Sequence, residues 1–246
     1  MGVAKAEVEN NPTSAMTDRK DLMQTPLKYS PISTQVIAAR QEVFFVIHFL
    51  NCYNLEDMKK IDLPQLSLLP WLNIFNQTID RPENLPLLLA EHGVDGDCLS
   101  NFADSAASPS EPYGRKILFK DGQIEVMLAS WSYKSSAAPH NHGSSKGLIW
   151  FAHGRFSEQH FRFRDRNLQK INPAILFSEN EVVAVDANDI HSCCPESTGL
   201  SLHIYSPPIN EMKVWDEAQK LTLTVSDECG AWIPKDRDLI LEEHPW

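Results

Sequence analysis

Long apolar stretches are missing from this chain of 246 residues. The most apolar run, VFFVIHFL, covers only residues 43–50 and contains His48. A helix that spans a bilayer needs about 20 apolar residues. The first twenty residues also lack the apolar core that follows a basic start in a secretory signal. We therefore expect no membrane partner and a cytoplasmic location.

Positive charge is scarce. The chain has 22 lysines and arginines against 33 aspartates and glutamates, so its formal net charge is −11. A negative chain repels the phosphate backbone of nucleic acids and anionic lipid surfaces. Hydrophobic residues make up 42% and charged residues 22%, as in ordinary globular proteins. We expect no nucleic-acid partner and a monomer that acts on small molecules.

Cysteine is also sparse. The five cysteines are Cys52, Cys98, Cys193, Cys194 and Cys229, an odd number with two adjacent members. A disulfide framework in a secreted protein has an even number of spaced cysteines. Reduced thiols in a cytoplasmic protein are the simpler interpretation, and we expect Cys193 and Cys194 to be structural.

The first half of the chain is polar and then helical in pattern. Residues 1–30 are polar and are expected to be disordered. Apolar residues at helical spacing predict a helix over residues 33–53. Four prolines within residues 63–89 limit the helices there to short ones. We expect residues 31–112 to form a mostly helical part that packs on the remainder of the chain.

From Tyr113 onward the pattern is that of β-strands. Asp121 and Gly122 form a hairpin signal between two β-rich runs. More short strands come after them, separated by turn residues at intervals of roughly 8 to 12 residues, which predicts a sandwich or a barrel. We expect residues 113–246 to form this β-domain, with Trp131 and Trp150 in its core.

Three histidines are candidate metal ligands. His140 and His142 stand two residues apart, so in an extended strand both side chains point to the same face. His191 comes later, at the end of the β-rich run EVVAVDANDI. Three neutral imidazoles leave coordination positions open on a metal, as catalysis requires. A His-x-His pair alone is also common on surfaces, and the remaining histidines, His160 among them, are expected to be structural or solvated.

Two glycines make the histidine pair more specific. With Gly147 and Gly154 the stretch reads His-x-His-x4-Gly-x6-Gly. This is the spacing of the first cupin motif, with glycine where most cupins have a glutamate ligand. Without that carboxylate the ligands are neutral, and the metal keeps a charge that suits an anionic, chelating substrate.

Residues 113–215 resemble the cysteine dioxygenases, which are thiol dioxygenases with the cupin fold. Four features carry the resemblance in the family's order: YGR from Tyr113, HNHGSSKG from His140, His191 itself, and SLHIYSPP from Ser201. The resemblance implies a mainly β protein, a cupin (double-stranded β-helix) barrel with a helical N-terminal part. The barrel would span residues 113–246 and hold the metal site.

The resemblance also implies an activity. The enzyme would be a non-haem iron thiol dioxygenase that oxidises L-cysteine with O2 to cysteine sulfinic acid, a step of cysteine catabolism. Fe(II) would be held by His140, His142 and His191, and the thiol substrate and O2 would be its partners. In mammalian members a cysteine is crosslinked to the active-site tyrosine. Here Gly147 takes the cysteine's place, so no thioether forms.

The remaining site residues are assigned by the same resemblance. Arg115 would bind the substrate carboxylate, because a guanidinium stays charged and binds carboxylates bidentately. The proposed substrate-binding residues are Arg115, Tyr113 and Trp131, and the proposed catalytic residues are Tyr205, His203 and Ser201. The last two lie at i−2 and i−4 from the tyrosine, so the three share one face of a strand and can form a hydrogen-bond relay.

Two alternatives to oxidation of L-cysteine stay open. In the first, the substrate is another small thiol acid such as 3-mercaptopropionate. In the second, the protein is a non-catalytic metal-binding cupin. Arg115 favours cysteine, because the mercaptopropionate branch that resembles this chain carries glutamine there. The relay of Ser201, His203 and Tyr205 favours an enzyme, because a binding module has no need of it.

Overall fold

A computed structural model of the protein describes residues 61–105 and 110–246. The predicted disorder of residues 1–30 and the predicted helix at residues 33–53 lie outside these described residues. The expected division of the chain at residues 31–112 and 113–246 stays a prediction.

Short helices come first, and proline marks where they begin. The helices are α1 (Leu63–Ser67), α2 (Trp71–Thr78), α3 (Leu85–Glu91) and α4 (Gly96–Ser100), with a 3-10 turn at Pro82–Asn84. Pro64 and Pro86 stand in the first turns of α1 and α3, where no backbone N–H is needed. Asp62 caps α1 by accepting a hydrogen bond of 2.8 Å from the Gln65 N–H. The helices are short, as the prolines predict.

Eleven strands come next in the described residues. They are β1 (Tyr113–Lys120), β2 (Glu125–Trp131), β3 (Lys146–His153), β4 (Phe156–Arg164), β5 (Asn167–Phe177), β6 (Val182–Val185), β7 (Ile190–Pro195), β8 (Gly199–Ser206), β9 (Lys213–Asp216), β10 (Leu221–Val225) and β11 (Ile240–Pro245). A 3-10 turn at Arg237–Leu239 precedes the last strand. The predicted hairpin at Asp121 and Gly122 joins β1 to β2.

The strands form one large and two small antiparallel sheets. The large sheet has the order β1-β2-β8-β3-β6, and the small ones have the orders β5-β4-β7 and β11-β10-β9. His140 joins the two small sheets, because it forms one bridge to His191 in β7 and another to Val214 in β9. Side chains from all three sheets share one buried cluster. The protein is therefore mainly β, a cupin (double-stranded β-helix) barrel with a small helical N-terminal part, and the predicted fold class is confirmed.

The large sheet is buried on both faces. Along β2, Met127 and Ala129 point into the barrel, whereas Val126 and Leu128 pack with residues of the helices. The alternation results from the two-residue period of a strand. Trp150 lies on the helix side with these outer residues, so its expected place in the barrel core is wrong. None of the helices in residues 61–105 and 110–246 is long and apolar enough to cross a membrane.

Candidate metal centre

The three predicted metal ligands converge on one point inside the barrel. His140 and His142 lie between β2 and β3, and His191 lies in β7. Their ligand nitrogens all lie within 4.8 Å of one another, and all three residues are buried. The Nε2 atoms of His142 and His191 are 3.0 Å apart. The backbone of His140 pairs with that of His191 through two hydrogen bonds of 2.9 and 3.0 Å, which holds the two strand segments together.

The outer nitrogen of each ring has its own partner. Nδ1 of His140 donates to the carbonyl of Ala138 at 2.9 Å, and Nδ1 of His142 to the carbonyl of Asp186 at 3.3 Å. Nδ1 of His191 lies 3.1 Å from a carboxylate oxygen of Glu158. Because a carbonyl only accepts, the proton of His140 and of His142 is on Nδ1, and the Nε2 lone pair is free.

Burial keeps the rings of His140 and His142 neutral. It lowers the pKa of both His140 and His142 well below 6.5, and the proximity of His191 lowers the pKa of each further. A protonated imidazole cannot bind a metal, so a low pKa makes the lone pairs available at neutral pH. Three imidazole nitrogens within 4.8 Å of one another suit a divalent transition metal such as iron. The residues present fit the predicted metal.

The predicted catalytic residues form a continuous hydrogen-bond chain. Ser201 Oγ lies 2.8 Å from Nε2 of His203, and Nδ1 of His203 lies 2.9 Å from the Tyr205 hydroxyl. Trp131 extends the chain, since its indole N–H donates to Ser201 Oγ at 2.9 Å. The Tyr205 ring stacks on the His142 ring with their centroids 5.5 Å apart, so the chain ends beside a metal ligand.

The first donor of this chain is the Trp131 indole N–H. It only donates, so Ser201 Oγ accepts from it. Burial lowers the pKa of His203 to about 3, so the ring is neutral and carries one proton. In the tautomer with that proton on Nδ1, Ser201 donates to Nε2 and the Nδ1–H donates to the Tyr205 oxygen. The hydroxyl hydrogen of Tyr205 is then left for a group in the cavity.

The predicted substrate-binding residues line the same cavity as His140, His191 and Tyr205. The Tyr113 hydroxyl accepts a hydrogen bond of 2.9 Å from the Ala231 N–H, so it fixes the cavity wall. Its ring lies against Trp131, with the centroids 4.4 Å apart. Arg115 is only 17% exposed, and its Nη2 lies 3.0 Å from a carboxylate oxygen of Glu125. This pairing of Arg115 with an internal acid was not predicted.

A family model described as cysteine dioxygenase type I matches residues 97–218. The matched segment contains the three histidines, Arg115 and the whole hydrogen-bond chain. This part of the chain is a cysteine dioxygenase-like cupin. The predicted family is thereby confirmed. The first cupin motif predicts His140 and His142, and the resemblance to the family predicts His191.

Solved structures similar to this cupin have low sequence identity to it. KdgF from Halomonas sp. is 14% identical with a TM-score of 0.36, over 44% of this chain and 90% of that one. A conserved protein with a double-stranded β-helix domain from Klebsiella pneumoniae is 7% identical with a TM-score of 0.40, over 48% and 95%. An RmlC-like cupin from Shewanella frigidimarina is 11% identical with a TM-score of 0.34, over 41% and 80%.

Glu158 is a cupin-barrel residue that was not predicted from the sequence. Its side chain is fully buried in β4. Besides His191, it contacts Nε2 of His160 at 2.7 Å. Burial opposes ionisation of Glu158, but the neighbouring His191 and His160 lower its pKa on balance. His160 thus contacts the carboxylate that lies beside His191, and a structural role, as expected for it, fits this contact. The sequence feature that could have revealed Glu158 is the two-residue period of a strand, which places it on the same face as Phe156 and His160.

Gly147 is in direct contact with the active-site tyrosine. It pairs with Tyr205 across β3 and β8, and a Cβ at this position would lie 2.5 Å from Cδ1 of the tyrosine ring. Gly147 therefore offers no sulfur to the Tyr205 ring, and its position has no room for a larger side chain.

Cys193 lies in the cavity wall but is not grouped with the metal ligands. Burial raises the pKa of its thiol well above the ordinary value, so the thiol stays protonated. A protonated thiol is a poor metal ligand and a poor nucleophile. This environment is in keeping with the structural role expected for Cys193.

Proposed function

We propose that the protein is an iron-dependent thiol dioxygenase that oxidises L-cysteine with O2 to cysteine sulfinic acid. The observation that carries the proposal is the meeting of two groups in one cavity: three buried histidines whose ligand nitrogens lie within 4.8 Å of one another, and a tyrosine hydroxyl at the end of a hydrogen-bond chain. A cupin that only stored a metal would need the first group and not the second.

His140, His142 and His191 would hold Fe(II). When bound, the iron supplies a site for O2 and lowers the pKa of a coordinated thiol, so that the thiol binds as thiolate. In the overall reaction the sulfur takes up both oxygen atoms of O2. The sulfur is oxidised by the same number of electrons that O2 accepts, so no external reductant is needed.

The chain's own residues bind and orient the substrate. Arg115 lines the cavity and has N–H groups beyond the one that faces Glu125, so it can hold the substrate carboxylate. Tyr205 donates its hydroxyl hydrogen to an oxygen atom or carboxylate beside it. Burial raises the pKa of Tyr205 well above its ordinary value, so the hydroxyl remains a donor across neutral pH. Ile149 and Phe151 add apolar walls that exclude water.

The location is also a proposal. The cysteines of the described residues, Cys98, Cys193, Cys194 and Cys229, are all free thiols. Free thiols suit a reducing compartment, which supports a cytoplasmic location.

Oxygen uptake with a small panel of thiols tests the function. The protein is purified, reconstituted with Fe(II) and supplied with L-cysteine, 3-mercaptopropionate or cysteamine in an oxygen-electrode cell. We expect uptake with cysteine, and none from a His140→Ala variant that no longer retains iron. A tightly bound stoichiometric zinc ion, with no oxygen uptake after iron reconstitution, would overturn the proposal in favour of a non-catalytic cupin.

A further inference from the structure

We propose that Asn141 is a positioning residue for the metal centre: its side-chain oxygen ties the loop that carries His140 and His142 to β9 and thereby sets the angle between the two ligands. The inference rests on the part of the proposed function in which these histidines hold Fe(II). It adds a residue that acts on the metal only through its two neighbours in the chain.

The two ligands lie outside the regular strands. His140 and His142 fall between β2 and β3, and of the two only His140 forms backbone bridges to other strands. Their rings stand at 80° to each other with the centroids 5.4 Å apart. The backbone N–H of His142 lies 3.4 Å from the carbonyl oxygen of Ala187, which is long for a hydrogen bond. The direction of His142 therefore needs a further contact to fix it.

Asn141 supplies that contact from its place between the two ligands. Its Oδ1 accepts a hydrogen bond of 2.8 Å from the N–H of Lys213, the first residue of β9, and one of 3.3 Å from the N–H of Gly143. Its own backbone N–H donates to the carbonyl of Lys213 at 3.0 Å. Asn141 thus binds both backbone groups of one β9 residue, and the same side-chain oxygen reaches past His142 to the residue after it.

The turn after His142 fits closely against the segment that leads into β9. Gly143 has a φ of +62°, a left-handed conformation that favours glycine, and a Cβ there would lie 1.9 Å from the carbonyl oxygen of Asn210. The ligand loop and this segment therefore meet at two points, Gly143 with Asn210 and Asn141 with Lys213. Loss of the Asn141 oxygen releases the second point and lets the backbone of His142 rotate.

Asn141 can be changed without altering the cavity. It is partly buried and is not among the residues that line the cavity, whereas His140 and His191 are. Successive residues of an extended segment point to opposite sides, which places Asn141 behind the ligands. A variant at this position keeps every group that would meet the metal or the thiol, so a change in metal binding reports the orientation of the ligands.

Asn141→Ala removes the side-chain oxygen and leaves all three histidines in place. We expect the affinity for Fe(II) to fall about tenfold, the lower end of the range for residues that support a metal ligand. The measurement is anaerobic competition for Fe(II) between the metal-free protein and a coloured chelator, with no thiol and no turnover. Asn188→Ala is the matched control, because Asn188 is an exposed asparagine three residues before His191.

Asn141→Asp tests whether the oxygen itself is responsible. Aspartate keeps an oxygen at the same distance from the backbone, so it accepts the same two N–H groups. We expect Fe(II) affinity at least equal to that of the wild type. The added negative charge also attracts a cation, so the visible absorption spectrum of bound Co(II), which depends on the geometry of the ligands, is recorded as well. We expect the Co(II) spectrum of Asn141→Asp to match the wild type and that of Asn141→Ala to be shifted.

Urea unfolding of the metal-free proteins separates positioning from a general loss of stability. We expect Asn141→Ala to lose Fe(II) affinity and to shift the Co(II) spectrum even at urea concentrations of zero, where the chain is folded. If Asn141→Ala does not fold, Asn141→Gln decides the question, because it keeps the amide but moves the oxygen by one methylene. The same fall in affinity and the same spectral shift are expected for it.

The outcomes separate this inference from the dioxygenase proposal. Weaker Fe(II) binding and a shifted Co(II) spectrum in Asn141→Ala, both restored in Asn141→Asp and absent in Asn188→Ala, support the inference even if no thiol is oxidised. If Asn141→Ala binds Fe(II) within about twofold of the wild type, or if Asn141→Asp is as impaired as Asn141→Ala, the inference is wrong and the dioxygenase proposal stands. If the wild type binds neither Fe(II) nor Co(II), both proposals fail.

Discussion

At the scale of single residues, the Tyr205 hydroxyl is the group whose loss tests the hydrogen-bond chain. Tyr205→Phe keeps the ring and its stacking on His142 but removes the donor. We expect kcat to fall roughly 10- to 1,000-fold, the range for a positioned proton donor, with iron content unchanged because the tyrosine is not a ligand. Trp131→Phe removes only the first donor of the chain, so we expect a smaller fall in kcat. Full activity of Tyr205→Phe, together with lower thermal stability, would show that Tyr205 is only a packing residue.

Glu158 is the second residue-scale test, and it concerns the metal. Its carboxylate lies 3.1 Å from Nδ1 of His191, an arrangement that orients the ring of a ligand histidine. Glu158→Gln should therefore weaken iron binding about 10- to 100-fold, as measured by competition with a chelator. Glu196→Gln is the control, because its carboxylate contacts Ser157 of β4 at an exposed place just after the end of β7. Equal iron affinity in the two variants would contradict the assigned role.

At the scale of elements, the close approach of β3 to Tyr205 in β8 depends on Gly147. A Cβ there would lie 2.5 Å from the Tyr205 ring and 2.9 Å from Cγ2 of Val185. Gly147→Ala should lower the free energy of unfolding by about 1–3 kcal/mol, the usual cost of overpacking, and lower kcat by displacing the tyrosine. Gly122→Ala is the matched control, since no atom lies within 4 Å of its added Cβ. Urea unfolding and kcat measure both effects, and a neutral Gly147→Ala would disprove the close approach.

The order of the helices and strands could be predicted from the sequence. Which face of a strand points into the barrel could not be predicted for every strand. Alternating residues and the turn at Asp121 and Gly122 predict the β-domain, and proline positions predict short helices. Trp150 was misplaced because the large sheet is buried on both faces, so apolar residues do not tell which face is inside. The backbone bridges from His140 to two sheets could not be predicted, because their partners, His191 and Val214, are far from it in the chain.

In the site, too, local sequence patterns could be predicted, whereas contacts between separate strands could not. Motif spacing identified His140 and His142 because these two ligands follow a local pattern, whereas His191 was assigned from the resemblance to the family. Glu125 and Glu158 were missed, although each lies on the inward face of its strand, because an acid on a barrel strand is more often solvated. The charge that Arg115 offers a substrate could not be judged without its partner, which is ten residues away in sequence and 3.0 Å away in space.

At the scale of the whole molecule, buried neutral histidines make stability depend on pH. The pKa of His203 is about 3 in the folded protein and about 6.5 when unfolded. Between these values the unfolded chain binds a proton that the folded protein does not, so stability is lost as the pH falls below about 6.5. His140 and His142 act in the same direction. We expect the metal-free protein to have a lower Tm at about pH 5 than at about pH 7.5, and the difference to shrink in His203→Gln. A Tm that is equal or higher at the lower pH would contradict the buried, neutral state of these rings.

The measurement that tests the central claim most directly is the fate of labelled oxygen. The iron-loaded protein is given L-cysteine under 18O2, and the product is analysed by mass spectrometry. The proposed function predicts cysteine sulfinic acid with both of its new oxygen atoms labelled, in a yield that matches the oxygen consumed. Cystine as the only product, or a sulfinic acid whose oxygen comes from water, would contradict it.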